Sequence, residues 1–212
     1  MKGLMLKDLY NSQKNIRFYL IFMLLFAVAG YLMKMSGYTL VLQAVVAISL
    51  GISLFSYDEY SHWDMFALIL PVDRKTVVRA RYLLCFLLCA VTALLCLTIS
   101  SLTAFLLHEE QMEVIISCYS CFFVSVLLLA IMFPCIYKMG AEKARIILLV
   151  LGGGFGVACA SIASFGDEAE ALFHKLDTLN PFMVIIVLTA VVFGGYYFSY
   201  RASVRIYQTK EF

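Results

Sequence analysis

Cys118 and Cys121 form a C-x-x-C pair, the spacing that thiolate metal sites and dithiol redox centres use. A zinc site needs a second Cys or His pair at ligand spacing, and none follows. The seven cysteines, Cys85, Cys89, Cys96, Cys118, Cys121, Cys135 and Cys159, all sit in or beside apolar runs. They read as small apolar packing residues, and an odd count gives no disulfide framework. His108-Glu109-Glu110-Gln111-Met112 falls one residue short of the H-E-x-x-H of a zinc hydrolase, because Met112 stands where the second histidine is needed. His62, His108 and His174 lie in three separate loops, so no ligand set converges. The glycines at 152–156 lack the lysine of G-x-x-x-x-G-K-[ST], so no P-loop is expected in this chain. No charged residue lies deep in an apolar run, which argues against a proton relay or an intramembrane carboxylate protease.

The elements that would position these residues are membrane helices. The chain of 212 residues is 63% hydrophobic and 14% charged, with a mean hydropathy of +0.93. A water-soluble domain is about half apolar and a quarter charged, and one this size cannot hide so much apolar surface. The net charge of +2 does not point to nucleic acid. Six charge-free runs approach or exceed the roughly 20 residues that cross a bilayer core. They are 18–33, 35–57, 82–107, 114–137, 146–166 and 178–200. The expected fold is therefore an all-α integral membrane bundle of six transmembrane helices in one domain, residues 1–212. The first run follows polar residues and lacks a small-x-small cleavage site, so it reads as a retained helix rather than a signal peptide.

Lysine and arginine set the orientation. Lys2, Lys7, Lys14 and Arg17 precede the first run. Arg74, Lys75, Arg79 and Arg81 lie between the second and third, and Lys138, Lys143 and Arg145 between the fourth and fifth. Arg201, Arg205 and Lys210 follow the last. The alternate connections hold only Lys34 and Lys175, and are acidic at Glu109, Glu110, Glu113, Asp167, Glu168, Glu170 and Asp177. Both termini are thus expected in the cytoplasm. Residues 1–17 suit a short amphipathic helix at the inner interface, interrupted at Asn11 and Ser12. Tyr196, Tyr197, Tyr200 and Tyr207 suit an aromatic belt. Pro134 should kink or thin the fourth helix. Gly152 and Gly156 form a G-x-x-x-G for close helix packing, within the bundle or as a dimer seam.

The connection 58–81 stands apart. It carries the only tryptophan and both signs of charge. Ser61 could cap a short helix through Leu70, with Asp64 at the third position, and Pro71 would end it. Asp73 could cap a second short helix carrying Lys75, Arg79 and Arg81. Trp63, Phe66, Ala67 and Leu70 would share one side of the first, available to lipid or a protein groove.

The run Tyr57-Asp58-Glu59-x-Ser61-x-Trp63-Asp64-x-Phe66-Ala67-Leu68-x-Leu70-Pro71-Val72-x-Arg74-x-x-Val77-Val78-x-Ala80-Arg81-Tyr82 resembles the hallmark of ABC-2-type transporter permeases of Gram-positive bacteria. The opening Met1-Lys2-Gly3-Leu4-Met5-Leu6-Lys7-Asp8-Leu9-Tyr10 is similar to the start of such proteins. The resemblance implies a permease subunit of the plasma membrane that pairs with a separate ABC-type ATPase and with a second permease copy or a paralogue. ATP and Mg would be held by that ATPase, and no cofactor by this chain. It also implies export of amphipathic peptides, such as phenol-soluble modulins or antimicrobial peptides. The candidate coupling surface comprises Tyr57, Asp58, Glu59, Ser61, Trp63, Asp64, Phe66, Leu70, Pro71, Arg74 and Lys75. A regulatory or scaffolding membrane protein is the main alternative. An integral membrane enzyme would need a converging catalytic set, which the sequence does not offer.

Overall fold

The computed structural model describes residues 2–34, 38–61, 63, 73–144, 146 and 181–209. Among them all regular structure is helical. Five long helices are α1 (Lys2–Leu32), α2 (Tyr38–Tyr60), α3 (Arg74–Leu107), α4 (Gln111–Met139) and α5 (Pro181–Thr209). Four of these are long and apolar enough to cross a membrane: α1 over Asn15–Leu32, α3, α4, and α5 over Ile185–Thr209. The 23 residues of α2 reach about 34 Å at the helical rise, with charge confined to its last turn at Asp58 and Glu59. The expected span at 146–166, and with it Gly152 and Gly156, lies outside the described residues apart from Ile146.

Two boundaries differ from expectation. No break occurs at Asn11–Ser12; residues 2–17 are the first half of α1. Asn and Ser are mediocre helix formers, but the Ser12 side chain is fully buried and packing overrides propensity. The second short helix of the 58–81 connection is not separate, since Lys75, Arg79 and Arg81 belong to a continuous α3. Asp73 does sit at the N-cap of α3 with extended backbone. Its carbonyl accepts from Thr76 N (2.8 Å) and Val77 N (3.3 Å), while its side chain makes no capping bond.

The helices pack with a consistent polarity. Tyr119 Oη meets Thr189 Oγ1 at 2.8 Å, Ser199 Oγ donates to Ala130 O at 2.5 Å, and the rings of Tyr137 and Tyr207 lie 5.5 Å apart. These rungs keep nearly constant register, so α4 and α5 run parallel. Met139 and Pro181 therefore stand at opposite ends of the bundle. Lys7, Asp58, Arg74, Arg81, Gly140 and Tyr207 gather at one end, which also carries Lys75, Arg79, Lys138, Arg201 and Arg205. His108, Glu109 and Glu110 turn α3 into α4 at the other, with His108 in the left-handed region at φ 59°.

Lipid gives no hydrophobic drive between helices, so packing and internal hydrogen bonds hold them. Phe133, Leu129, Val126, Leu54 and Val78 are fully buried where α2, α3 and α4 meet. Met23, Leu42, Val46, Leu50 and Cys96 close the seam of α1, α2 and α3. Gly51 lets α2 pack closely on α4. A Cβ there would lie 2.9 Å from Leu129 Cδ2 and 3.1 Å from Met132 Cε.

Pro134 lies inside α4 without ending it. It has no N–H to give to Ala130 O, and Ser199 Oγ of α5 takes that role. Because that bond uses the Ser199 proton, Tyr82 Oη donates to Ser199 Oγ (2.8 Å) and accepts from Ser203 Oγ (2.7 Å). Tyr196 Oη donates to Tyr82 O (2.8 Å), and the Tyr82 ring stands 4.6 Å from that of Phe133. Tyr207 is thus buried and Tyr196 half-buried inside the bundle, not in a lipid-facing belt; Tyr197 is exposed.

Candidate functional site

At the basic end, α2 finishes in two acids, Asp58 and Glu59. A helix C-terminus carries partial negative charge and disfavours acids, so each needs compensation from elsewhere. Asp58 is buried, 4% exposed. Lys7 Nζ of α1 reaches Asp58 Oδ1 at 2.5 Å and also lies 3.3 Å from Asp8 Oδ1. Arg81 of α3, equally buried, pairs with Asp58 Oδ2. The Arg81 guanidinium lies over the Phe55 ring, 4.6 Å from its centroid. Two acids and two bases make a formally neutral clasp that joins three helices.

Glu59 is compensated differently. Its Oε2 accepts the Ala141 N–H at 3.0 Å, at the start of the helical turn 141–144, where the positive helix end favours an acid. Gly140 makes the approach possible. Its φ of 87° and ψ of 167° lie in a region almost restricted to glycine. A Cβ there would come within 3.0 Å of Glu59 Oε1. Arg74 would be poorly placed for the dipole of its own helix start. It instead donates to Tyr207 O (3.4 Å) and Gln208 O (3.0 Å) at the C-terminus of α5, where a cation is favoured.

Trp63 connects this assembly to the segment between α2 and α3. Lys7 Nζ lies 3.6 Å from the centroid of its ring, a cation–π contact. Ser61 closes α2: its N–H donates to Tyr57 O (3.1 Å) and its Oγ to Asp58 O (3.4 Å). Trp63 is itself helical, and the rest of the helix expected through Leu70 lies outside the described residues. Between Phe55, Arg81, Tyr137 and Gly140 lies a cavity of about 80 Å³. Tyr137 Oη and Arg81 Nε are buried with no protein partner among the described residues, so the cavity has both the room and the polar groups to hold water.

The structure thus brings together Asp58, Glu59, Ser61, Trp63 and Arg74 of the candidates, with Tyr57 exposed on the same helix end. Lys75 lies apart, in a groove against α5. Asp64, Phe66, Leu70 and Pro71 lie outside the described residues. Lys7, Asp8 and Gly140 were absent from the sequence candidates, and Arg81 was read as an orienting charge and as part of the hallmark run, not as a member of the coupling surface. For Lys7 and Arg81 the signal was charge placement: each belongs to a group of four cations before the first or third apolar run, opposite the acids that end the second. Among the described residues no three His, Cys, Asp or Glu side chains group as metal ligands.

The arrangement ties α1, α2, α3 and α5 together at one end of the bundle, and its residues Asp58, Glu59, Ser61, Trp63, Arg74 and Arg81 belong to the hallmark run. The family model described as ABC-2 family transporter protein matches residues 3–208. The chain belongs to the ABC-2 transporter family. It is a multi-pass membrane protein and the membrane component of a transporter, a role that implies an ABC ATPase as its working partner. No curated protein and no solved structure matches this ABC-2 chain.

Proposed function

We propose that this ABC-2 protein is the permease subunit of an ATP-driven exporter of the bacterial plasma membrane, and that the clasp around Asp58 couples it to the ATPase. The chain holds no cofactor of its own, and ATP with Mg is bound and hydrolysed by the separate subunit. The basic end faces the cytoplasm, as the loop charges require. A second permease copy or a paralogue completes the translocation path. Cargo is amphipathic or hydrophobic, with amphipathic peptides first among the classes, because the spans offer apolar, aromatic and hydroxyl side chains but no charge deep in the membrane.

The observation that carries the coupling reading is the connected series Trp63, Lys7, Asp58, Arg81. ATP binding closes the ATPase dimer against residues 61–73. A push on Trp63 is then a push on Lys7, hence on α1, and through Asp58 and Arg81 on α2 and α3 together. Arg74 and Glu59 carry the same displacement to α5 and to the end of α4.

The test is co-purification of the full chain with the ATPase encoded beside it, followed by ATP turnover and peptide export in proteoliposomes. Wild type should form a complex whose turnover rises with amphipathic peptide. Trp63→Ala should keep the complex and its ATP turnover but lose most export. Normal export by Trp63→Ala would remove the coupling role. Failure to bind the co-encoded ATPase would move a regulatory or scaffolding function to first place.

A further inference from the structure

One face of α5 changes character along its length. Val187, Val191, Gly194, Phe198, Arg201 and Arg205 follow one another at spacings of four and three residues, and so share a stripe. Val187, Val191 and Phe198 are exposed at 59%, 60% and 76%. A side chain built on Gly194 would meet nothing within 4 Å, so the stripe has a shallow gap there. At the basic end it opens into a groove of about 820 Å³ lined by Arg201, Arg205, Tyr197 and, from α3, Lys75. That volume is within the range of ligand sites. Among the described residues no carboxylate lines the groove and none pairs with these three cations.

We infer that this stripe and groove bind one anionic phospholipid, the phosphate at Arg201, Arg205 and Lys75 and an acyl chain along Phe198, Gly194 and Val191. A purely structural role for the arginines does not account for both. Cations at a helix C-terminus answer the helix dipole only within its last turn, and α5 carries no basic residue in its last turn among the described residues. Arg201 lies two turns before Thr209, beyond that reach. Its Nε donates to Tyr197 Oη at 3.1 Å, which leaves its terminal nitrogens for a phosphate, and the Tyr197 hydroxyl proton for another phosphate oxygen. A free phosphate ion would need the cations but not the apolar stripe. The hydrocarbon half of one leaflet is about 15 Å deep, or about ten residues of helix, the distance from Arg201 back to Val191. The stripe fits one leaflet, with the basic pocket at headgroup level.

The full chain is reconstituted in nanodiscs of phosphatidylcholine containing a minor share of phosphatidylglycerol. It is then briefly extracted in detergent, and the retained lipid is identified by mass spectrometry. Wild type should retain phosphatidylglycerol selectively. Arg201→Gln/Arg205→Gln should lower that selectivity about 25-fold, at about fivefold per cation, and Gly194→Leu should lower retention with every charge kept. Arg201→Lys/Arg205→Lys should hold most of it, which supplies a reading if the neutral pair folds poorly. Four results would overturn the inference. The first is unchanged retention in Arg201→Gln/Arg205→Gln. The second is an equal loss in Lys138→Gln/Lys143→Gln, which would make the effect diffuse charge at this end. The third is displacement of lipid by inorganic phosphate, which would make the site one for the free anion. The last is loss of ATPase binding with lipid retained, which would make the groove a protein contact.

Discussion

Asp58→Asn removes one charge from the clasp and leaves the shape nearly unchanged. The four groups Lys7, Asp8, Asp58 and Arg81 then carry a net charge of about +1 in a buried place. Removing one partner of a buried pair costs about 3–5 kcal/mol. The lower end applies here, because the Lys7 side chain keeps 24% exposure and can recover hydration, while that of Arg81 keeps only 5%. A cost of about 3 kcal/mol corresponds to a fall in Tm of about 6–12 °C for a chain of this length. The assay is thermal unfolding of the detergent-solubilised full chain, read by loss of the monodisperse elution peak. Lys7→Met should cost less, because Asp58 keeps Arg81. Adding Arg81→Met to Asp58→Asn should recover part of the loss, since replacing both partners by apolar groups removes the uncompensated charge. A shift below about 2 °C for Asp58→Asn, or strictly additive costs in the Asp58→Asn/Arg81→Met pair, would refute the reasoning.

Ser199→Ala should destabilise by about 1–3 kcal/mol, because Ala130 O and Tyr82 Oη both lose a buried partner. In a Pro134→Ala background its cost should shrink, since an N–H at residue 134 can serve Ala130 O; equal costs in both backgrounds by thermal unfolding would argue against this substitution of partners. Gly140→Ala should cost about 1–3 kcal/mol from backbone conformation alone and should weaken the Glu59–Ala141 contact. Faster hydrogen exchange at Ala141 is the readout, and unchanged exchange with unchanged Tm would count against it. Arg74→Gln should cost about 1 kcal/mol and speed amide exchange selectively in the last turn of α5, whereas a uniform change along α5 would point to general loosening.

The helices were legible because charge is expensive inside a bilayer and therefore marks their ends. The same rule misplaced the ends at the basic side. It stopped the second run before Asp58 and began the third after Arg81, yet these two residues neutralise each other and allow both helices to continue past them. The N-terminal segment was read as separate from the span because its charges stop the apolar run at Phe18, and as interrupted because Asn11 and Ser12 are weak helix formers; the burial of Ser12 is a tertiary fact that no local propensity contains. Glu59 and Arg74 could be named as candidates from the connection that holds them. Their partners, Ala141 and the last carbonyls of α5, are distant in sequence and could not. Tyr207 followed the composition of an aromatic belt, but its neighbours Tyr137 and Arg74 draw it inward.

The continuity of α1 has a mechanical consequence. Lys7 is gripped near one end of a rod that runs on to Leu32, about 37 Å away at the helical rise. A rod held near its end is a lever with a long output arm. A tilt of about 5° at the Lys7 grip sweeps Leu32 through about 3 Å, as much as the width of a water molecule. A hinge at Asn11–Ser12 would have absorbed that tilt within a few residues. Without one, a tilt set at Lys7 is carried along the whole helix into the seam that Met23 makes with α2 and α3.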